Sequence, residues 1–250
     1  MLVVFTAKDR IALLPYFFRY YLSIGATRFL CCLYRGQKNP LYPAIENWRN
    51  YLDLKIQSTG DFDVEAYCGP SEAAAVERIR ATLTDPWHVI ADLDEFYWLP
   101  PGTTLQNMVV KLEAGKYTAA SCHLIDRIAE DGSLAPPGAM LDITYPLAFN
   151  LTQAIGACPN KIAIVSARTP LQSGHHNVAD GSPTLAWGEF HHFKWLPGII
   201  ELLVERSVYF TRLGLPWAAE GWRTAGMFID GKLDLKNPAI KTWLAPPVGV

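Results

Sequence analysis

Two aspartates, separated by one residue, are the side chains of this sequence best suited to bind a metal. Asp92 and Asp94 follow the apolar run 87–91, which predicts a buried strand. An extended backbone would place both carboxylates on one face and Leu93 on the other. Paired carboxylate oxygens suit a hard divalent cation, Mn²⁺ or Mg²⁺, that is held jointly with phosphate oxygens. We therefore predict a metal site at this pair, where the cation would neutralise charge on a diphosphate.

Histidine supplies a second group of candidate metal ligands. Four of the six histidines, His175, His176, His191 and His192, fall within 18 residues. Imidazole is a common transition-metal ligand, so one of these side chains could complete the site begun by the aspartates. Adjacent residues of a strand point to opposite faces, so only one histidine of each pair is expected to face the site. Neither pair has the i, i+4 spacing of a helical zinc site.

The elements that must position these residues alternate along the first half of the chain. Short apolar runs at 2–6, 29–34, 54–57, 87–91 and 117–125 predict strands, and helical periodicity lies between them. This alternation predicts an α/β fold with a mostly parallel central sheet and helices on both faces. In open sheets of this kind, ligands bind beyond the carboxyl ends of the strands, which is where the two aspartates fall.

The second half of the chain has a looser pattern. Loops rich in proline and glycine separate strands predicted at 161–165 and 185–193 from helices predicted at 199–213 and 217–228. No linker or internal repeat is visible. We therefore expect one domain, 1–250, with a nucleotide-binding half at 1–125 and an acceptor-side half at 126–250.

Composition excludes several classes of protein. The net charge of −2, from 22 basic and 24 acidic residues, argues against a basic nucleic-acid-binding surface. No apolar run reaches the ~18 residues of a membrane span, and the opening apolar run is too short for a signal peptide. We expect a cytoplasmic protein with no transmembrane segment and no nucleic-acid partner.

A series of short motifs follows a fixed order along the chain. In sequence they are Lys8-Asp9, Leu14-Pro15-Tyr16-Phe17, Tyr20-Tyr21, Asp92-Leu93-Asp94-Glu95-Phe96, Asp126-Arg127-Ile128-Ala129-Glu130-Asp131-Gly132, Lys161, Gly174-His175-His176 and His191-His192-Phe193-Lys194-Trp195. The series resembles glycosyltransferase family two-like enzymes of the GT-A fold, which carry a D-x-D-E-F motif.

The resemblance implies a metal-dependent hexosyltransferase. Its donor would be a nucleotide-diphosphate sugar, with a UDP-sugar favoured. Its acceptor would be a glycan or a lipid-linked acceptor. With a lipid-linked acceptor, the protein would work at the cytosolic face of a membrane.

The same resemblance assigns roles to individual residues. It implies that Asp92 and Asp94 bind the donor diphosphate through the metal. It also implies that the end of the first strand borders the nucleotide, that one lysine contacts the diphosphate, and that one histidine of each pair faces the metal. In this sequence those residues are Thr6, Lys8, Asp9, Lys161, His176 and His192.

Three carboxylates are candidates for the general base. An inverting transfer needs a carboxylate near the acceptor hydroxyl. Asp126, at the end of the strand predicted at 117–125, is the first candidate, followed by Asp142 and Glu189. If strand alternation continues past Asp94, Glu95 points away from the metal site and the next residue belongs to the core.

Other classes share parts of this pattern. A haloacid-dehalogenase-type hydrolase usually has Thr or Val where this chain has Phe96, and a sugar-nucleotide pyrophosphorylase needs a glycine-rich loop that residues 6–10 do not form. The remaining alternative is a catalytically degenerate, transferase-like binding module. Residues 34–39 favour it, because relatives usually carry an Asp-Asn-x-Ser-x-Asp-like turn there. The intact carboxylate pair and the histidines favour an enzyme.

Overall fold

The computed structural model describes residues 1–7, 10–60, 69–242 and 246–249. Its strands are β1 (Leu2–Ala7), β2 (Arg28–Leu33), β3 (Leu54–Ser58), β4 (Trp87–Asp92), β5 (Glu95–Trp98), β6 (Ala119–Ile128), β7 (Leu147–Phe149), β8 (Asn160–Ser166), β9 (Thr184–His192), β10 (Phe228–Ile229) and β11 (Lys232–Leu233). Its α-helices are α1 (Leu14–Ser23), α2 (Tyr42–Glu46), α3 (Gly69–Arg80), α4 (Leu105–Ala114), α5 (Leu141–Thr144), α6 (Leu151–Ala154), α7 (Ile199–Arg212) and α8 (Ala219–Ala225). Short 3₁₀ turns lie at Ile11–Leu13, Gly36–Lys38, Asn47–Asn50 and Ser173–His175.

The chain forms two compact units, and the first contains the described residues of 1–60, 69–123 and 160–190. Its sheet has the strand order β3-β2-β1-β4-β8-β6-β9-β5. The first four of these strands are parallel, so that Val4 lies opposite Leu30 on one side and Ile90 on the other. β8 runs antiparallel to β4, and β6 antiparallel to β8. The α/β fold class is confirmed, and its parallel strands come from the first half of the sequence.

Helices cover both faces of the parallel strands, as predicted, because alternate residues of β1 point to opposite faces. Phe5 packs against Phe17 and Phe18 of α1, with ring centroids 4.9 and 5.8 Å apart. Val4 joins a core on the other face that includes Val76 of α3. Burial on both faces explains why β1 and β4 are continuous apolar runs.

The link between β4 and β5 departs from the prediction. β4 ends at Asp92 and β5 begins at Glu95, so Leu93 and Asp94 form a turn. The expectation that an extended backbone places the two aspartates on one face is therefore wrong. The contacts of each carboxylate are described below.

The second unit contains the described residues of 124–159 and 191–249. β7 pairs antiparallel with the end of β6, where Asp126 lies opposite Phe149. Trp195 and Leu203 belong to its core. α7 and α8 pack closely at Gly221, where a Cβ atom would lie 2.1 Å from the Leu203 carbonyl oxygen. That the whole chain forms one domain stays a prediction.

Two boundaries in this unit differ from the predictions. Asp126 lies inside β6 rather than at its end, because pairing with β7 extends the strand to Ile128. The helix predicted at 217–228 is shorter, since α8 spans Ala219–Ala225 and Phe228 already belongs to the β10–β11 hairpin.

Candidate functional site

Asp92 lies at the carboxyl end of β4, beside the end of β1. The parallel register places Thr6 opposite Asp92, and the Thr6 hydroxyl donates a hydrogen bond to Asp92 Oδ1. Asp92 Oδ2 lies 3.1 Å from the ammonium of Lys161. The Asp92 side chain is 29% exposed. It is therefore held in place and still reachable from solvent at the sheet edge where ligands bind in such folds.

Lys161 of β8 is buried behind this carboxylate. Its Nζ lies 2.7 Å from Glu95 Oε1, and Glu95 Oε2 accepts a 2.9 Å hydrogen bond from the Asp92 backbone N–H. Burial alone would lower the pKa of Lys161, but the charges of Asp92 and Glu95 outweigh it and raise the pKa above its ordinary value. The prediction that Glu95 points away from the site is wrong, because Glu95 and Lys161 together anchor Asp92. Contact between Lys161 and a diphosphate stays a prediction.

Asp94 has a separate cationic partner. Its side chain is 4% exposed, and Asp94 Oδ2 lies 2.9 Å from Nη1 of Arg10, which is 16% exposed. Arg10 comes three residues after the end of β1, at the same edge of the sheet as the aspartates. The motif spacing does not single out Arg10, although its position after the first strand is a usable signal. Lys8 and Asp9, the other residues predicted to border the nucleotide, lie outside the described residues.

The carboxylate oxygens of Asp92 and Asp94 are suitable ligands for a divalent cation that takes its other ligands from a diphosphate. Asp92 and Asp94 supply carboxylate oxygens, which hard cations prefer. Within the described ranges, no three His, Cys, Asp or Glu side chains converge as a metal site. A cation here would take its other ligands from phosphate oxygens and water, as Mg²⁺ commonly does. Asp92 and Asp94 are the residues that would hold it.

His175 and His176 lie in a turn and not on a strand. Gly174 and His175 both have positive φ, 76° and 58°. The expectation that this pair points to opposite faces of a strand is therefore wrong. His176 Nδ1 lies 2.6 Å from the carbonyl oxygen of Asn160. A neutral ring that donates from Nδ1 keeps Nε2 as its acceptor nitrogen, an arrangement frequent in metal-binding histidines. A ligand role for His176 stays a prediction.

His191 and His192 lie on β9 and point in different directions, as expected for neighbours on a strand. His191 is buried, and its Nδ1 lies 2.9 Å from Arg127 Nη1. His192 Nδ1 lies 3.2 Å from Asp126 Oδ1. Because Asp126 and Arg127 are also neighbours on a strand, the alternation on β6 matches the alternation on β9. Metal ligation by His192 stays a prediction.

Asp126 is buried and accepts hydrogen bonds at both oxygens. Besides His192, the indole N–H of Trp195 donates to Oδ1 at 3.0 Å, and the backbone N–H and hydroxyl of Thr152 donate to Oδ2 at 3.0 and 3.1 Å. Burial would raise the pKa of Asp126, but the hydrogen bond and charge of His192 and the charge of Lys194 outweigh it and lower the pKa. These contacts describe a carboxylate that holds its neighbours in place.

The other two candidate bases have different surroundings. Asp142 accepts the backbone N–H groups of Val248 at 3.0 Å and Gly249 at 2.7 Å, and contacts Arg127 Nη2 at 3.3 Å. It therefore holds residues 248–249 within the second unit. Glu189 is half-buried on β9 and belongs to the first unit, which also contains Asp92 and Asp94. A catalytic role for Asp126, Asp142 or Glu189 stays a prediction.

Comparison with known proteins gives structural neighbours only. No protein-family model and no curated protein matches the chain. Two crystal structures, one of S. aureus TarS and one of S. aureus TarS 1–349 in complex with UDP-GlcNAc, resemble it at 14% and 13% identity, with TM-scores of 0.39 and 0.42. They cover 90% and 88% of this chain, which spans 42% and 68% of theirs.

A further neighbour is the galactosyltransferase LgtC in complex with donor and acceptor sugar analogs. It is 11% identical, with a TM-score of 0.35, over 67% of this chain and 58% of LgtC.

None of the helices in the described part of this chain is long and apolar enough to cross a bilayer.

Proposed function

We propose that this protein is a metal-dependent glycosyltransferase whose donor, a nucleotide-diphosphate sugar, binds at Asp92 and Asp94. The observation that carries the proposal is the position of the pair. Asp92 ends β4 and Asp94 follows two residues later at the carboxyl edge of the parallel strands, and Thr6 near the end of β1 contacts Asp92 directly. That edge is where open α/β sheets bind nucleotides.

The residues of the site supply orientation and charge. Thr6, Glu95 and Lys161 hold Asp92 in one position before a ligand binds. A divalent cation on Asp92 and Asp94 would neutralise negative charge on the departing diphosphate.

Glu189 is the candidate base that we would test first. It shares a compact unit with the carboxylate pair. A general base must take a proton from the acceptor hydroxyl, so it should lie near the bound donor.

The resemblance of the ordered motifs to glycosyltransferase family two-like enzymes supports a hexosyl donor on UDP and a glycan or lipid-linked acceptor. The alternative function is a degenerate module that binds the nucleotide without turnover. It is favoured by residues 34–39, where the acidic and amide groups of the relatives' turn are absent.

A thermal-shift screen of nucleotide diphosphates, with and without Mn²⁺, tests the proposal. A ligand that binds only the native state adds about 2.7 kcal/mol of stability at a hundredfold excess over its dissociation constant. We expect UDP to raise the melting temperature more with Mn²⁺ than without it. Release of UDP from a UDP-sugar then separates an enzyme from a binding module. Absence of stabilisation by every nucleotide diphosphate would overturn the proposed function.

A further inference from the structure

The contact between Arg10 and Asp94 has a consequence for ligand binding. Asp94 is almost fully buried, and a buried carboxylate is costly unless a cation lies beside it. Arg10 Nη1, 2.9 Å from Asp94 Oδ2, supplies that positive charge in the protein described here. A divalent cation at Asp94 would bring a second positive centre to the same carboxylate, and the two like charges would repel.

A nucleotide diphosphate changes this balance because it brings negative charge to the same edge. A guanidinium group binds phosphate oxygens through two parallel hydrogen bonds, and such charge-assisted contacts are among the strongest in proteins. Arg10 retains some exposure, 16%, and lies between β1 and the first helical turn, Ile11–Leu13. Phosphate oxygens that replaced Asp94 as the partner of Arg10 would remove the guanidinium charge from that carboxylate.

We propose that Arg10 is a diphosphate-binding residue that exchanges partners on donor binding. It neutralises Asp94 in the free protein and contacts the phosphate oxygens in the complex, so that the cation occupies Asp94 together with the nucleotide. This inference rests on the proposed function. It adds a binding residue outside the predicted set and a reason for the metal and the nucleotide to bind cooperatively.

Exchange of partners predicts opposite effects on the two ligands when the guanidinium is removed. Arg10→Gln should bind Mn²⁺ alone at least about tenfold more tightly, because no guanidinium competes for Asp94. The same variant should bind UDP at least about tenfold more weakly at saturating Mn²⁺, because a charged hydrogen bond to phosphate is lost. Linkage is reciprocal, so the factor by which UDP raises the affinity for Mn²⁺ should shrink.

The experiment titrates Mn²⁺ into the protein, with and without UDP, and follows the signal of free Mn²⁺ by electron paramagnetic resonance. Arg10→Lys keeps the positive charge and should bind Mn²⁺ alone as weakly as the parent protein. Arg19→Gln is the matched control, since Arg19 is exposed on α1 and should leave both affinities unchanged. If Arg10→Gln is unstable, melting temperatures decide, because Mn²⁺ alone should stabilise that variant more than the parent.

The outcomes separate the two proposals. If the parent protein binds UDP and Arg10→Gln binds both ligands as the parent does, the exchange is overturned and the proposed function stays intact. Weaker binding of both ligands by Arg10→Gln would also overturn it, because Arg10 would then only hold the site together. Parent protein that binds no nucleotide diphosphate would overturn both.

Discussion

Lys161 and Glu95 form a buried ion pair, with Lys161 Nζ 2.7 Å from Glu95 Oε1, immediately behind Asp92. The same ammonium lies 3.1 Å from Asp92 Oδ2, so one cation serves two carboxylates. Asp92 is thereby oriented from behind, while part of its side chain stays exposed. This relationship connects the stability of the fold to the geometry of the candidate donor site.

Replacement of Lys161 should test that connection. Lys161→Met leaves Asp92 and Glu95 without their shared cation, and breaking a buried pair in this way costs about 3 kcal/mol of unfolding free energy. Adding Glu95→Gln removes one of the two uncompensated charges and should restore part of the loss. Urea unfolding of both variants and of Glu95→Gln alone measures the coupling. A loss that simply adds across the two substitutions would contradict the pairing.

The buried charge of Asp126 should stabilise the fold. In Asp126→Asn, an amide N–H₂ group faces donors that contact a carboxylate in the parent protein. We therefore expect a loss of about 2 kcal/mol of unfolding free energy, measured by urea unfolding. Asp131→Asn is the matched control in the same unit, because Asp131 forms an exposed ion pair with Lys232 and should be nearly neutral. Equal, small effects of the two substitutions would show that the Asp126 contacts add little.

His88 of β4 should make stability depend on pH. Burial and the neighbouring Arg80 lower its pKa from 6.5 to about 3, and Arg80 Nε lies 2.7 Å from His88 Nε2. The unfolded chain therefore binds a proton below about pH 6.5 that the folded protein excludes, so stability falls as the pH falls from 6.5 towards 3. Between pH 7 and pH 5, this group should cost about 2 kcal/mol.

Comparison of the parent protein with His88→Gln at both pH values isolates that effect. Glutamine can still accept the Arg80 hydrogen bond but does not titrate. We expect the loss of unfolding free energy between pH 7 and pH 5 to be about 2 kcal/mol smaller in the variant. An identical loss in both proteins would mean that His88 does not exclude the proton.

Gly174 should control the position of the His176 ring. Its φ is 76°, and a Cβ atom there would lie 2.8 Å from His176 Cδ2. Gly181 has a similar φ of 73° but open space around it, so Gly181→Ala reproduces the backbone strain without the clash. Both alanine variants should lose about 1 kcal/mol. Only Gly174→Ala should shift the His176 ring resonances in an NMR spectrum; equal shifts in both variants would contradict this role.

The parallel part of the fold could be predicted because its signals are local. Strands buried on both faces read as continuous apolar runs, and the position of Asp92 at the end of one such run follows directly. Strand periodicity could not reveal the turn at Leu93 and Asp94, because two residues are too few to show where extension ends. The same limit applies to His175 and His176.

The partners of the candidate site residues could not be predicted for a different reason. Lys161 is 69 residues from Asp92, and Arg10 is far from Asp94 along the chain. Which cation meets which carboxylate depends on how β8 and the residues after β1 pack, and spacing in one sequence does not record that. The hydrogen-bond partners of Asp126 could not be predicted for the same reason.

The central claim is that Asp92 and Asp94 bind a nucleotide diphosphate through a divalent cation. Calorimetry tests this claim by titrating UDP into the protein, once in the presence of Mn²⁺ and once in the presence of a chelator. The proteins compared are the parent, Asp94→Asn and the exposed control Asp180→Asn. We predict that the parent and Asp180→Asn bind UDP only when Mn²⁺ is present. Asp94→Asn, folded by its melting temperature, should lose that binding, because an amide is a poorer ligand for a hard cation. Binding of UDP to Asp94→Asn with the affinity and Mn²⁺ requirement of the parent would contradict the account.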